Sequence, residues 1–379
     1  MIERRGRWAI VACLLVVGLR AAPAGGQGSD LSVNAKAAAL VDADSGQLLF
    51  DHNATARIPP ASLTKLMTVY LAYDALRGGS VRLDDPVAVS REAARMGGSQ
   101  IFLRRGDQIR FENLLRGVAI ASGNDATVAL AEHVAGFPGT FVAQMNAKAA
   151  QLGLQDTQFQ NPHGLPTDNQ YSTARDVAFL AVHLIRDHPA VLQLHSTKSF
   201  EFNGIRQENR NRLLWKDPRV DGLKTGWLEE SGYHIVATAK EGERRLVAVV
   251  LGARNERTRE EAALRLMNYG FKQFHNVHFF NKGDRVKNLP VWKGMEDHLG
   301  VIAAVPGIVT VKKDTPQPTL TYSLPDKLIA PIAAGQKVGE AVITAEGREL
   351  ARVELVSAGA VAEAGLMRRI LHSLALLIY

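Results

Sequence analysis

The sequence predicts an α/β (α+β) domain, then a small all-β domain, then a terminal amphipathic helix. Three observations predict this. From Ala37 to Phe274, stretches with apolar residues at helical spacing alternate with short hairpin-like runs. From Phe280 to Val356 the composition shifts to Val, Thr, Gly and Pro in short strand-like runs. From Ala364 to Tyr379 polar and apolar residues sort onto opposite arcs of a helix. The 379 residues, 46% hydrophobic and 22% charged, suit a globular protein of two domains with appendages. The expected bounds are 1–24 for a leader, 30–276 and 277–358 for the two domains, and 361–379 for the helix.

The leader reads as a secretory signal peptide. Arg4, Arg5 and Arg7 form its basic region, and Trp8 to Leu19 is apolar but too short to span a bilayer. Ala22-Pro23-Ala24 is a small-x-small cleavage site, with Arg20 unusually close to it. The only cysteine, Cys13, lies inside, so the exported chain is expected to lack thiol and disulfide chemistry. The formal charge of +7 is partly this leader. Removing its four arginines and one glutamate from the 45 basic and 38 acidic residues leaves 41 against 37, or +4. That balance, with no long basic run, does not predict a nucleic-acid partner. There is no Walker loop and no GxGxxG before a helix, and His275-x-x-His278 has no third ligand nearby, so no cofactor or metal is expected.

The hairpin comes first: Ala39-Leu40-Val41, a turn at Asp44-Ser45-Gly46, then Leu48-Leu49-Phe50. Pro59 and Pro60 then stop the chain ahead of a helix over 62–76, with Leu66, Val69, Tyr70 and Tyr73 at helical spacing. Ser62 falls in the first turn, and Lys65 lies one turn on, on the same face. A serine hydroxyl is a weak nucleophile until a base takes its proton, and a lysine of lowered pKa can be that base. The helix N-terminus offers free N–H groups to an oxyanion. Ser62 as a plain cap and Lys65 as a solvated lysine remain the structural alternative.

A mixed region over 81–109 holds a Gly97-Gly98 break. A helix over 113–120 is interrupted by Ser122-Gly123-Asn124-Asp125 and resumes over 126–134. The break serves equally as a C-cap followed by an N-cap, or as Ser122 and Asn124 facing a cleft. Helices over 139–154 and 173–187 flank the Asn161-Pro162-His163-Gly164-Leu165-Pro166 loop, whose histidine reads as structural. Next come Val220-Asp221-Gly222-Leu223-Lys224-Thr225-Gly226-Trp227, strands over 233–239 and 245–251, and a helix over 257–274. Lys224 and Thr225 can bind a carboxylate. Gly226 lets a substrate backbone lie against the strand, and the Trp227 N–H can complete an oxyanion hole. An ordinary exposed strand end is the alternative.

Ser62-Leu63-Thr64-Lys65, Ser122-Gly123-Asn124 and Lys224-Thr225-Gly226 stand in the order that β-lactamases and penicillin-binding proteins use. The chain resembles the low-molecular-mass penicillin-binding proteins that are D-alanyl-D-alanine carboxypeptidases. The likeness covers nearly the whole mature chain, including the Asn161 loop, the trailing β domain and the terminal helix. It implies a transpeptidase-like domain, an antiparallel sheet with helices on both faces, and removal of the terminal D-alanine from peptidoglycan stem peptides, with β-lactam antibiotics as further ligands. It also implies roles. Ser62 would carry the acyl group and Lys65 accept its proton. Ser122 would relay a proton to the leaving amine, and Asn124 would hold the peptide carbonyl. Lys224 would bind substrate and lower the pKa of Lys65. Thr225 and Arg259 resemble the groups that receive the terminal carboxylate, and Arg210 resembles a second cleft arginine. Many members carry His where this chain has Trp227; the N–H is kept and the side-chain contact changes.

Two other readings stand beside this one. A serine β-lactamase of class A needs a glutamate to activate water, and none occurs between Glu132 and Glu201. A catalytically silent peptidoglycan-binding protein would keep the cleft without turnover. In the terminal helix, Arg368, Arg369, His372 and Ser373 form one arc, and Leu366, Met367, Ile370, Leu371, Leu374, Leu377 and Ile378 the other. The segment is too short and too charged to span a bilayer. It is expected to lie flat on the periplasmic surface of the inner membrane, or else to dock on its own protein.

Overall fold

A computed structural model describes residues 31–375. The expected leader with Cys13, and Leu377, Ile378 and Tyr379, lie outside the described residues.

The first domain is built on a five-stranded antiparallel sheet in the order Leu48–His52, Ala37–Asp42, Arg244–Ala253, Gly232–Glu241, Val220–Leu228. Its central strands are apolar at successive positions because both faces are covered. Side chains alternate faces along a strand. Ala37, Ala39, Val41, Val247, Val249 and Leu251 join the core beneath the helical layer. Ala38, Leu40, Leu246, Ala248 and Val250 join a second core beneath the Glu256–Gln273 helix. The expected helices on both faces are therefore present. The Lys224 strand is last in the order, so one of its edges has no strand neighbour.

The helical layer includes Lys65–Arg77, Asn124–Ala135, Pro138–Gln151 and Ala174–Asp187. Thr173 caps the last, its hydroxyl accepting from Asp176 N at 3.0 Å. Two departures from regular helix bear on the site. Residues Ala61–Thr64 form a separate 3-10 turn ahead of Lys65. The helix expected over 113–120 is α only over Phe111–Arg116 and widens to a π turn over Gly117–Ala121. Helix periodicity alone does not register such a bulge, which is common at functional sites. A short hairpin, Ser199–Phe202 with Ile205–Glu208, was not expected.

The second domain is all β. Strands Phe274–Phe280 and Gly307–Lys312 pair, and a six-stranded sheet, two of whose strands (Arg285–Trp292 and His298–Ala303) lie between them in sequence, makes up the rest. The domains meet at Asp42 and Arg244, which pair at 2.7 Å: Asn276 Nδ2 donates to Asp42 Oδ1 at 3.2 Å, and Arg244 Nη1 donates to Phe274 O at 2.8 Å. The terminal helix begins at Leu366, later than expected, because Val361 and Glu363 still bridge to Ile332 and Gly294. It rests on the β domain by its polar arc. His372 Nδ1 accepts from Lys293 N at 2.8 Å, and Arg369 pairs with Glu363 at 2.6 Å. Leu366, Met367, Ile370, Leu371 and Leu374 face outward, Met367 at 81% exposure. Among the described residues no helix is long and apolar enough to cross a membrane.

Candidate active site

Three segments far apart in sequence converge on the serine turn. Ala61 takes a left-handed backbone, φ 51°, and Ser62 comes next, half-buried. Gly164, φ 86°, lies so close that a Cβ there would fall 1.9 Å from Ala61 O. A Cβ on Gly226 would sit 3.0 Å from Ala61 Cβ and 3.2 Å from Ser62 N. The bare Cα of Gly226 therefore lets its strand reach the serine turn. The sequence reading gave that space to a substrate backbone; the neighbour that occupies it is the protein's own turn.

Lys65 is 0% exposed. Its Nζ has three partners: Asn124 Oδ1 at 2.7 Å, His163 O at 2.6 Å and Ser62 Oγ at 3.1 Å. Burial, and then the charge of Lys224, push its pKa well below the usual lysine range, against a weaker pull from Asp125. Lys224 is 2% exposed, and its Nζ donates to Ser122 Oγ at 2.9 Å and to Thr225 O at 3.0 Å. Burial first, then the charges of Arg210 and Arg259, bring its pKa down to about 7. The cluster is thus two lysines on one serine-rich wall, each held in a form that gives up its proton easily.

The Ser122–Asp125 break serves as both a cap and a wall. Ser122 closes the π turn in a left-handed conformation, φ 62° and ψ 29°, which turns its hydroxyl onto Lys224. Gly123 is the N-cap of the next helix and offers no side chain, so Asn124 is free to meet Lys65. Asn124 Nδ2 also donates to Gly97 O at 2.7 Å.

Of the remaining expected residues, Thr225 and Trp227 lie on the Lys224 strand and Arg259 and Arg210 lie off it. Thr225 is buried beside Lys224. Arg259 is buried in the first turn of the Glu256–Gln273 helix, over the Tyr233 ring at 5.9 Å and 3.3 Å from Glu260 Oε1. Arg210 is exposed and reaches the cluster through its charge. The Trp227 ring is 55% exposed, tilted 6.0 Å from Tyr233.

Sequence reasoning missed three contributors. The carbonyl of His163 receives Lys65, and a backbone acceptor leaves no side-chain signature. Asp125 ties the 97–103 loop to the site, its carboxylate accepting from Ile101 N and Leu103 N. His195 is fully buried; its Nδ1 donates to Leu223 O at 2.9 Å, immediately before Lys224. A carbonyl oxygen only accepts, so the proton sits on Nδ1; Nε2 has no partner among the described residues.

A family model described as D-alanyl-D-alanine carboxypeptidase, peptidase S11, matches residues 24–255. The chain belongs to the D-alanyl-D-alanine carboxypeptidase family. A second model, the C-terminal domain of penicillin-binding protein 5, matches residues 274–363. The chain is 40% identical to D-alanyl-D-alanine carboxypeptidase DacC of Escherichia coli (strain K12) over 348 residues, 89% of this chain and 87% of that one. Among solved structures, penicillin-binding protein 5 from Haemophilus influenzae superposes with a TM-score of 0.82 at 37% identity, covering 89% of this chain and all (100%) of that one. Ampicillin-bound penicillin-binding protein D2 from Listeria monocytogenes matches with a TM-score of 0.60 at 31% identity, over 65% of this chain and 100% of that one. The carboxypeptidase family and its penicillin-binding fold thus agree with the resemblance read from the three motifs.

Proposed function

We propose that this serine-type D-Ala-D-Ala carboxypeptidase removes the terminal D-alanine from peptidoglycan stem peptides through an acyl-enzyme on Ser62. The observation that carries this is the coordination of Lys65. A neutral amine has two N–H groups and one lone pair. With Asn124 Oδ1 and His163 O taking the two donors, the lone pair is left for the Ser62 hydroxyl at 3.1 Å. That is the geometry of a general base on its nucleophile. The oxygen of the tetrahedral intermediate would be received by the N–H groups of Ser62 and Trp227; the close packing of Gly226 on Ser62 N supports this. Ser122, hydrogen-bonded to Lys224, would pass a proton to the leaving D-alanine. Its carboxylate would meet Thr225 and Arg259, with Arg210 adding positive field. Asn124 would hold the peptide carbonyl.

The chain is read as exported, with a leader over 1–24, domains over 30–276 and 277–358, and a terminal segment over 361–379. It works on the periplasmic side of the inner membrane. The outward apolar arc of the terminal helix supports a flat, peripheral seat on that membrane.

The test is D-alanine release from a stem pentapeptide, by the protein and by Ser62→Ala. Release that disappears in the variant is expected. Penicillin should leave a covalent adduct on the Ser62 peptide that outlasts one peptide turnover many times over. Rapid penicillin hydrolysis without a lasting adduct indicates a β-lactamase. A folded protein that gives neither adduct nor D-alanine is a silent binder.

A further inference from the structure

Phe102 combines two features that rarely occur together. Its backbone is left-handed, φ 64°, where the Cβ of a bulky residue crowds its own carbonyl. Its ring is also 51% exposed. The surroundings explain how it is held. Ile101 N donates to both carboxylate oxygens of Asp125 at 3.0 Å, and Leu103 N donates to Asp125 Oδ2 at 3.0 Å. Ile101 and Leu103 both turn into the core. With the residues on either side anchored inward to one carboxylate, Phe102 has only the outward direction.

The same loop is fixed to the catalytic wall. Asn124 N donates to Ser99 O at 2.7 Å, and Asn124 Nδ2 donates to Gly97 O at 2.7 Å. Gln207 Nε2 braces it from the neighbouring hairpin, donating to Gln100 O at 3.0 Å. The loop therefore holds a strained, exposed aromatic between two residues bonded to Asp125, three residues beyond the Ser99 carbonyl that meets Asn124. Backbone strain persists only where the surroundings over-determine it, and it gathers where ligands are met.

We infer that Phe102 is a specificity residue: it offers an apolar face to the aliphatic part of the stem peptide ahead of the D-Ala-D-Ala pair. The inference rests on the carboxypeptidase reading. In that reading the leaving residue lies toward Thr225 and Arg259. The acyl part then runs toward Asn124, to which the loop carrying Phe102 is bonded. The flexible methylenes of an upstream side chain are the chemistry that an exposed ring takes best.

The experiment compares two peptides, one with a long aliphatic side chain before D-Ala-D-Ala and one that is only acetyl-D-Ala-D-Ala. Phe102→Asn removes the ring and keeps a residue that tolerates the left-handed backbone. The ratio of kcat/KM for the long peptide to that for the short one is expected to fall about tenfold, mostly through KM. The melting temperature is expected to hold or rise. Phe102→Gly should lose the same selectivity, and Phe102→Tyr should keep it. An unchanged ratio in folded Phe102→Asn and Phe102→Gly, with a wild type that releases D-alanine, overturns this inference alone. A wild type that releases D-alanine from neither peptide overturns the carboxypeptidase reading and this inference with it.

Discussion

In the proposed mechanism burial turns Lys65 into a base. Desolvation disfavours the ammonium, and Lys224 adds to the penalty. The group acts only when neutral, so acylation should rise with pH through its lowered pKa and be lost below it. Lys65→Gln keeps a polar side chain of similar reach and removes the base. Penicillin acylation of Ser62, followed by intact mass, is expected to slow about 10²–10⁴-fold while circular dichroism stays native. A wild-type rate would take Lys65 out of the proton transfer. The Ser62-x-x-Lys65 spacing was legible because i and i+3 share a helical face. The reason for the glycines was not, because the atoms that exclude a Cβ lie about a hundred or more residues away in sequence. Gly164→Ala places a methyl on Ala61 O and forces a left-handed alanine. It is expected to cost about 2–3 kcal/mol in a urea titration and to slow acylation as the serine turn shifts. An unchanged midpoint and rate would show that the loop can yield.

Among the elements, the long ones were legible and the short irregular ones were not. Apolar residues at helical spacing located Lys65–Arg77 and Glu256–Gln273 within a few residues, and alternation located Gly232–Glu241 and Arg244–Ala253. The 3-10 turn and the π turn escaped because they change hydrogen bonding without changing the apolar pattern. Yet these two turns aim Ser62 and Ser122. The terminal helix was legible as two arcs, and the structure adds which arc meets the protein. With His372 and Arg369 turned inward, five apolar side chains are left outside. Burying them in the headgroup region would favour the membrane by about 1.5–3 kcal/mol each at most. Val361 and Ala364 belong to the β domain, so a clean test ends the chain at Gly365 and removes the helix alone. The full chain is expected to sediment with anionic vesicles and the shortened chain to remain in solution. Sedimentation of both would place the membrane contact elsewhere.

At the scale of the whole molecule, the two-domain plan was legible from the change of composition after Phe274, but the strand order was not. The N-terminal hairpin sits beside Arg244–Ala253, about two hundred residues later, and no local pattern encodes that pairing. The packing that results buries two amines, and their burial sets a pH dependence for global stability. Lys224 falls from 10.5 to about 7 in the folded chain. Between those values the unfolded chain binds the extra proton, so stability rises with pH across that window and the penalty of burial is relieved above it. For Lys224 alone this amounts to on the order of 5 kcal/mol, and Lys65 acts in the same direction. Lys224→Met removes one amine and should abolish activity. Urea midpoints measured for wild type and Lys224→Met at pH 7 and pH 10 report this contribution together with the part of the Lys65 shift that Lys224 causes. The wild type is expected to gain more stability than the variant on going from pH 7 to pH 10. An equal gain would mean that Lys224 keeps an ordinary lysine pKa in the fold, and its proton would then not be available to the site near neutral pH.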